Sequence, residues 1–512
     1  GSGSASPGGC RGVEPVTWAL AAACGIASIP AGLRWLRVAQ REHYLAPSTT
    51  RFALRWWGFG AINRMLAFVA FVGVIGVLWS PRLGFLVALA QIGPVGLSLR
   101  GRTSPLAWTP RLRRLAVTSG VLVALAYLIG GLTQSPFVVV VGLFALPALV
   151  DVALMALTPV EKSLGDQWVV KAASRLKSSG ADVVAITGSY GKTTTKGYVV
   201  HLLSGSRRVV ASPASFNNRM GLARAINEQL VPGTQVFVAE MGTYGPGEIA
   251  DLCEWIPPKV AAIVAVGPVH LERFKTEERI VSAKSEILDN AGVGVIAVDN
   301  HLLADLADSR SSKMDVMTAG TGDTEARVVV RDRALFIDGV RVADVGGEVL
   351  GVNLAVAVGI CLALEMSVDE IISRLADLPV VEHRQTVRVT KRGVTIIDDT
   401  YNSNPDGVAS ALDTLARVGG NGRRAVVTPG MVELGPRQQS ENVAFARRAA
   451  TEVDDLVIVG GTNRGALLDG SSNGSASVTV VGSREEAVAW VRENLVSGDV
   501  VLYENDLPDH YP

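Results

Sequence analysis

The first 160 residues hold thirteen Arg, no Lys and only three acidic residues, Glu14, Glu42 and Asp151, set among long apolar runs. That third therefore carries +10, and the remaining 352 residues carry −10, although the whole chain is neutral. A basic, Lys-free, Trp-rich apolar block cannot belong to one uniform globular body with the acidic remainder. It predicts a multi-span α-helical membrane domain followed by an α/β part. Apolar runs at 16–33, 65–79, 83–99, 115–132 and 137–157 approach the length that crosses a hydrocarbon core of roughly 30 Å, so five spans are expected. Eleven of the thirteen Arg fall in two connections: Arg34, Arg37, Arg41, Arg51, Arg55 and Arg64 in one, and Arg100, Arg102, Arg111, Arg113 and Arg114 in the other. The turns Ser80-Pro81-Arg82 and Thr133-Gln134-Ser135-Pro136 nearly lack charge. The positive-inside rule then places both Arg-rich connections in the cytoplasm, the N-terminus outside, and everything after 159 in the cytoplasm. Trp35, Trp56, Trp57, Trp79 and Trp108 stand near span ends, as interfacial anchors do. A signal peptide is the competing reading of the first run, but no small-residue cleavage site stands out; the opening GSGSASPGG lacks Met and reads as an appended leader.

Length predicts about three domains at roughly 150 residues each, with boundaries expected at 1–160, 161–378 and 379–512. A hydrophobic content of 48% excludes disorder. Cys10, Cys24, Cys253 and Cys361 are far apart with no CxxC, which speaks against a disulfide framework or a zinc site and for a reducing compartment. The charge split does not suggest nucleic acid as a partner.

From 181 the periodicity changes. DVVAIT (182–187) reads as a short buried strand, GSYGKTTTK as a glycine loop, and the residues through 203 as a helix. Strand, glycine loop and helix present backbone N–H groups to phosphate oxygens at Gly188 and Gly191, with Lys192 for the outer phosphates and Thr193 and Thr194 at the helix start for nucleotide and magnesium ion. The strict GxxxxGK[ST] pattern fails because Ile186 replaces its first Gly; the shorter TGxxGKTT runs from 187 to 194.

Three further segments sharpen the reading: SFNNRMG (215–221), VFVAEMGTYGPGEI (236–249) and IVAVGPVHLERF (263–274). With them the chain resembles the Mur ligase family from about 181 to 501, and within it the branch that adds D-alanyl-D-alanine to a muramyl tripeptide. The resemblance implies a central P-loop ATPase domain and a C-terminal Rossmann-like domain, with ATP and Mg²⁺ as cofactors. It implies Glu240 and His270 as magnesium ligands beside Thr193, and Lys284 in SAKSEIL as a lysine carried as a carbamate on a second Mg²⁺. Lys192, Glu240, His270 and Lys284 are thus the expected catalytic set. Asn217 and Asn218 match substrate-side asparagines, and Asn353 falls in a nucleotide-contacting segment.

Past the central domain, the strand 394–397 and the turn DDTYNSNP match the start of the family's C-terminal domain. Arg384 matches an arginine at the domain joint. Asp398, Asp399 and Asn402 are expected on the nucleotide, and Tyr401 and Asn404 on the substrate. Asn-Pro and Asp-Gly are also ordinary turn chemistry. Strand and helix alternate beyond this point, as in a doubly wound sheet.

The chain departs from the family in places. Membrane spans occupy the position of the N-terminal domain that docks UDP, a replacement also made by membrane-bound poly-γ-glutamate synthases. The C-terminal Lys-Gly-Ser-Arg after GDVVL is replaced by Tyr503-Glu504-Asn505-Asp506, which suggests a different, cationic amine or a different register. Ala265, Val349 and Asn442 stand where Asn, His and His are usual.

The expected activity is an ATP-dependent carboxylate–amine ligase working through an acyl phosphate. Its partners would be a lipid-linked or membrane-associated carboxylate acceptor and an amino acid or short peptide amine. Addition of one short peptide, polymerisation of an amino acid, and a non-catalytic ATP-binding scaffold remain open. Small residues at intervals along the spans suit packing against a membrane partner subunit.

Overall fold

The computed structural model describes residues 13–101, 105–213, 216–269, 271–322, 325–346, 349–379, 386–400, 403–420, 422–507 and 510–511. The described residues form two compact units, one of residues up to 163 together with 507, 510 and 511, the other of residues 164–506.

The first unit is helical: α1 (Val13–Arg41), α2 (Ser48–Gly58), α3 (Gly60–Gly76), α4 (Gly84–Ala90), α5 (Pro110–Leu132), α6 (Pro136–Phe144) and the start of α7 (Leu146–Ser179). Only α1 and α5 are alone long and apolar enough to cross a membrane; α2 with α3, bent by 111°, and α6 with α7, bent by 72°, bring the count to four if each pair is one span. By length and composition the described helices thus offer two to four candidates where five apolar runs are expected to span. The run 83–99 is helical only through α4, whose seven residues span about 10 Å, because Pro94 after Gly93 has no N–H to continue a helix. The run 137–157 breaks at Ala145 because Pro147 would clash with a carbonyl one turn back. α3 and α4 pack as a hairpin in which Gly73 and Gly76 leave room for Val87 and Leu83.

The described residues 510 and 511 pack with these helices. Trp56 Nε1 donates to the His510 carbonyl at 2.8 Å, His510 Nε2 lies 3.1 Å from the Glu42 carboxylate, and Phe52 packs against the rings of His510 and Tyr511. His510 is buried.

The second unit contains two sheets. The first has nine strands: β1 (Asp182–Thr187), β2 (Val209–Ala211), β3 (Val236–Glu240), β4 (Val260–Ile263), β5 (Val293–Ala297), β6 (Asp315–Thr321), β7 (Val328–Arg331), β8 (Ala334–Ile337) and β9 (Val340–Asp344). Their order is β2-β3-β1-β4-β5-β6-β7-β8-β9, parallel from β2 to β7 and antiparallel beyond. The central strands are apolar without alternation, as strands covered on both faces must be. Val184 and Ile186 face α8 (Lys192–Leu203), while Val183 and Ala185 face α9 (Arg219–Gln229) and α10 (Glu277–Ser285). The helix α11 (Gly351–Ala363) is buried along most of its length on the α8 side. The ends of β1, β3 and β4 therefore open at one edge, where parallel α/β sheets place ligands.

The second sheet comprises β10 (Thr386–Val389), β11 (Thr395–Asp399), β12 (Arg424–Thr428), β13 (Asp455–Val459), β14 (Ser477–Val481) and β15 (Val500–Glu504), ordered β10-β11-β15-β12-β13-β14 with only β10 antiparallel. One face carries α12 (Pro405–Val418), α13 (Gln438–Glu452) and α14 (Arg464–Ser471). Among the described residues the other face carries one helix, α15 (Arg484–Asn494).

Candidate active site

The loop between β1 and α8 is held by backbone geometry. Gly191 has φ +80, a left-handed conformation that disfavours a Cβ, and a Cβ there would strike the Asn353 amide. Asn353 Nδ2 donates to the Gly191 carbonyl and to Thr195 Oγ1, each at 2.9 Å, so α11 clamps the loop to the first turn of α8. On its other side Ser189 N donates to the Ala265 carbonyl at 2.8 Å, and Gly188 leaves no room for a Cβ beside the Ala265 backbone. These contacts use the backbone of residue 265, so they do not depend on its side chain.

Lys192 Nζ folds back on the Gly188 carbonyl at 2.7 Å. Around Glu240, at the end of β3 and 3% exposed, several donors converge. Thr193 Oγ1 and Lys196 Nζ each reach Oε2 at 2.9 Å, and Asn217 Nδ2 reaches Oε1 at 3.4 Å. Burial pushes the Glu240 carboxyl up, but Lys196 and Lys192 outweigh it, and with hydrogen bonds from Lys196 and Thr193 they hold it below its ordinary value. It is an anion at neutral pH. Thr194 Oγ1 is buried with no hydrogen-bond partner. Lys284, on α10, is 4% exposed, and burial, with the Lys192 ammonium adding to it, holds its amine well below the ordinary lysine value.

The two asparagines part company. Asn217 points at Glu240, whereas Asn218 caps α9, its Oδ1 accepting from Gly221 N at 2.9 Å. In the second sheet Asp398 accepts from Thr400 Oγ1 at 2.7 Å, and Asp399 is buried. Asn404 caps α12 through Gly407 N at 3.0 Å. Tyr190 of the loop donates to Asp406 on α12, and Arg437 pairs with Glu277 at 2.5 Å. His270, Arg384, Tyr401 and Asn402 lie outside the described residues.

Lys196 and Ser212, which the sequence did not single out, and Glu504, which it marked only as part of the altered chain end, complete the picture. Lys196 stands one helical turn beyond Lys192, and the spacing in GKTTTK placed both on one face of α8. Ser212 Oγ accepts from Glu240 N at 3.1 Å. Glu504 closes β15 and is 1% exposed, with Ser403 Oγ donating to one carboxylate oxygen and Thr428 Oγ1 to the other at 3.1 Å. Burial pushes its carboxyl up to about 8 against the Ser403 hydroxyl, with Asp399 adding to the rise.

Among the described residues, no three His, Cys, Asp or Glu side chains form a ready-made metal cluster. The hydroxyl of Thr193 and the ionised Glu240 are nevertheless hard oxygen donors of the kind Mg²⁺ takes alongside water and phosphate. The orphaned Thr194 hydroxyl and the close backbone approach that Gly188 and Gly191 allow fit a nucleotide phosphate chain in the same way.

Comparison with known proteins agrees with this geometry. Residues 186–357 match the Mur ligase middle domain, and residues 383–503 match the Mur ligase, glutamate ligase domain. The UDP-N-acetylmuramoyl-tripeptide–D-alanyl-D-alanine ligase of Mycobacterium leprae is 32% identical over 374 residues, covering 64% of this chain and 72% of the relative. The enzyme of the same name from Bacillus subtilis is 26% identical over 344 residues, covering 64% and 74%. Among solved structures, MurF from Acinetobacter baumannii superimposes with a TM-score of 0.59 at 25% identity, covering 67% of this chain and 77% of that one. MurF from Thermotoga maritima in complex with ADP gives 0.58 at 28% identity, covering 67% and 80%. With the phosphate loop, the Glu240 cluster and the two α/β sheets in family order, this chain belongs to the Mur ligase family.

Proposed function

We propose that this ATP-dependent, ADP-forming amide ligase works at a membrane, on an acceptor carboxylate that is itself lipid-linked or membrane-associated. The observation that carries the reading is the pairing of the Lys192–Thr193–Glu240–Lys196 constellation with an Arg-rich, Lys-free helical unit in place of a soluble docking domain. The helical hairpin of α3 and α4 supports one-sided placement of the two Arg-rich connections. A hairpin that enters and leaves by the same side keeps both connections together whether or not it reaches across. α5 and the bent α6–α7 pair then leave and return once more, which puts residues 164–506 on the side of the arginines.

When bound, ATP supplies the phosphoryl group that activates the acceptor carboxylate, and Mg²⁺ screens the charge on the transferring phosphate. Thr193, Glu240 and, from the sequence resemblance, His270 would hold one ion, with Lys284 toward the second. A neutral amine is what reacts with CO₂ to give a carbamate and a proton, and burial, with the Lys192 charge, shifts Lys284 toward that form. Lys192 neutralises outer phosphate charge, Lys196 fixes the Glu240 carboxylate, and Asn217 orients its other oxygen. Asp398 and Asp399, expected on the nucleotide, and Asn404, expected on the substrate, border the strand ends of the second sheet, where nucleotide and attacking amine would meet. The amine nitrogen bonds the acyl carbon, phosphate leaves, and one proton is released.

The test is phosphate release by the detergent-purified protein with membrane lipid extract, against single amino acids and D-alanyl-D-alanine, with Lys192→Ala as control. Release that needs both extract and one amine, and vanishes in the variant, supports the reading. Turnover on a soluble nucleotide-linked acceptor with no response to extract overturns the membrane acceptor. Product length separates a single addition from polymerisation.

A further inference from the structure

The second sheet leaves one face half covered. The helix α15 packs on β13 and β14, and beside it the β10–β11 edge and β15 border a cleft of about 400 Å³. Its floor is apolar, from Ile396 to the Tyr503 ring. Its walls are cationic. Arg388, Lys391 and Arg392 stand on β10 and the turn after it, and Arg484 and Arg492 stand on α15, against a single lining carboxylate, Asp398. Arg484 also pairs with Asp506 at 2.5 Å, and Arg392 Nη1 donates to the Arg492 carbonyl at 2.7 Å, joining the two walls at that point. Burial pushes the Tyr503 phenol up, and the Arg484, Arg492 and Arg388 guanidiniums all act against that rise, so their charges are felt at one floor residue.

Two features identify the ligand. Like charges crowded along a cleft repel one another, and an anion relieves that repulsion. The cations are also strung out, since Arg484 and Arg492 lie eight residues apart on one helix, about 12 Å. Converging cations suit one phosphate; two facing rows suit an extended chain, and four extended residues cover about 13 Å. We propose that this cleft binds a carboxylate-rich peptide chain, threaded between β10 and α15 with its acidic side chains reaching both walls. The cleft begins at Asp398 and Thr400, beside the strand ends where the amine enters, so a chain being extended or modified there would lie along it. That last role rests on the ligase reading, whereas binding itself is measured without turnover.

The full-length protein in neutral detergent is titrated with fluorescein-labelled oligoglutamates of two, four and eight residues, followed by anisotropy. Affinity should rise about tenfold from two residues to eight and fall with added salt. Arg388→Ala with Arg492→Ala should weaken the eight-residue peptide about tenfold and leave ADP binding unchanged. Lys192→Ala should leave peptide binding intact, so that loss of ligase activity and loss of the cleft are told apart. Equal binding at all three lengths, no salt response, or undiminished binding by the double variant would overturn the proposal, as would binding confined to anionic phosphatidylglycerol vesicles. Should the double variant not fold, the length and salt series on the unaltered protein decides alone.

Discussion

Glu504 offers a quantitative test of how the second sheet is built. A carboxyl moved from its ordinary 4.5 to about 8 keeps its proton in the folded chain over a range where the unfolded chain has lost it. Stability from this group is therefore fully present below pH 4.5, declines as pH rises, and is gone above about pH 8. At about 1.4 kcal/mol per pH unit the ceiling is about 5 kcal/mol, of which about 2 kcal/mol is lost between pH 6 and pH 8. Glu504→Gln keeps the shape and can still bond Ser403 and Thr428, but it has nothing to ionise. Hydrogen exchange of peptides spanning β15, read as opening constants at pH 6 and pH 8, should show a roughly thirtyfold rise in opening for the unaltered protein and almost none for the variant. At pH 8 the variant should be the more protected of the two. A pH response that persists in Glu504→Gln, or its absence from the unaltered protein, refutes the claim that burial of this carboxyl governs the strand.

Three further outcomes follow from the geometry. Lys196→Met removes the nearest cation from the buried Glu240, a change that costs about 3 kcal/mol when other partners remain; the acid limb of the rate profile should move to higher pH, and Lys196→Arg should restore part of the shift. Gly191→Ala should lose about 1 kcal/mol for the left-handed backbone and about 1 kcal/mol more as Asn353 is displaced, read by calorimetry as at least a tenfold loss of ADP affinity with little change in peptide binding. In spheroplasts carrying a Cys10→Ser background, a membrane-impermeant maleimide should label Thr133→Cys from outside and spare Arg113→Cys; the opposite pattern would reverse the proposed orientation.

What the sequence disclosed follows from how local each signal is. The phosphate loop was legible because strand, glycine turn and helix are consecutive and each residue type has one geometric use. Glu240 was legible as a strand-ending acid, yet its main counter-charge, Lys196, was passed over, because a lysine inside a helix also reads as a solvated face. Asn217 and Asn218 were indistinguishable by type; only the helix start separates the one that caps from the one that reaches inward. Apolar runs and helices do not coincide, because Pro94 and Pro147 interrupt the helix without interrupting the hydropathy. The burial of Glu504 was out of reach, since it depends on β15 being inserted between β11 and β12, two strands far from it in sequence.

The hydrogen bond from Trp56 to the His510 carbonyl joins residues 454 apart, and this sets a clock on synthesis. The helices that surround Trp56 leave the ribosome early, but the segment that fills the space beside Phe52 and Glu42 follows 454 residues later. At about 5 to 20 residues per second the helices wait about 20 to 90 s for this contact. Through that interval both sheets can fold while the helices remain open at this seam, so completion of the first unit reports that the second has already been translated.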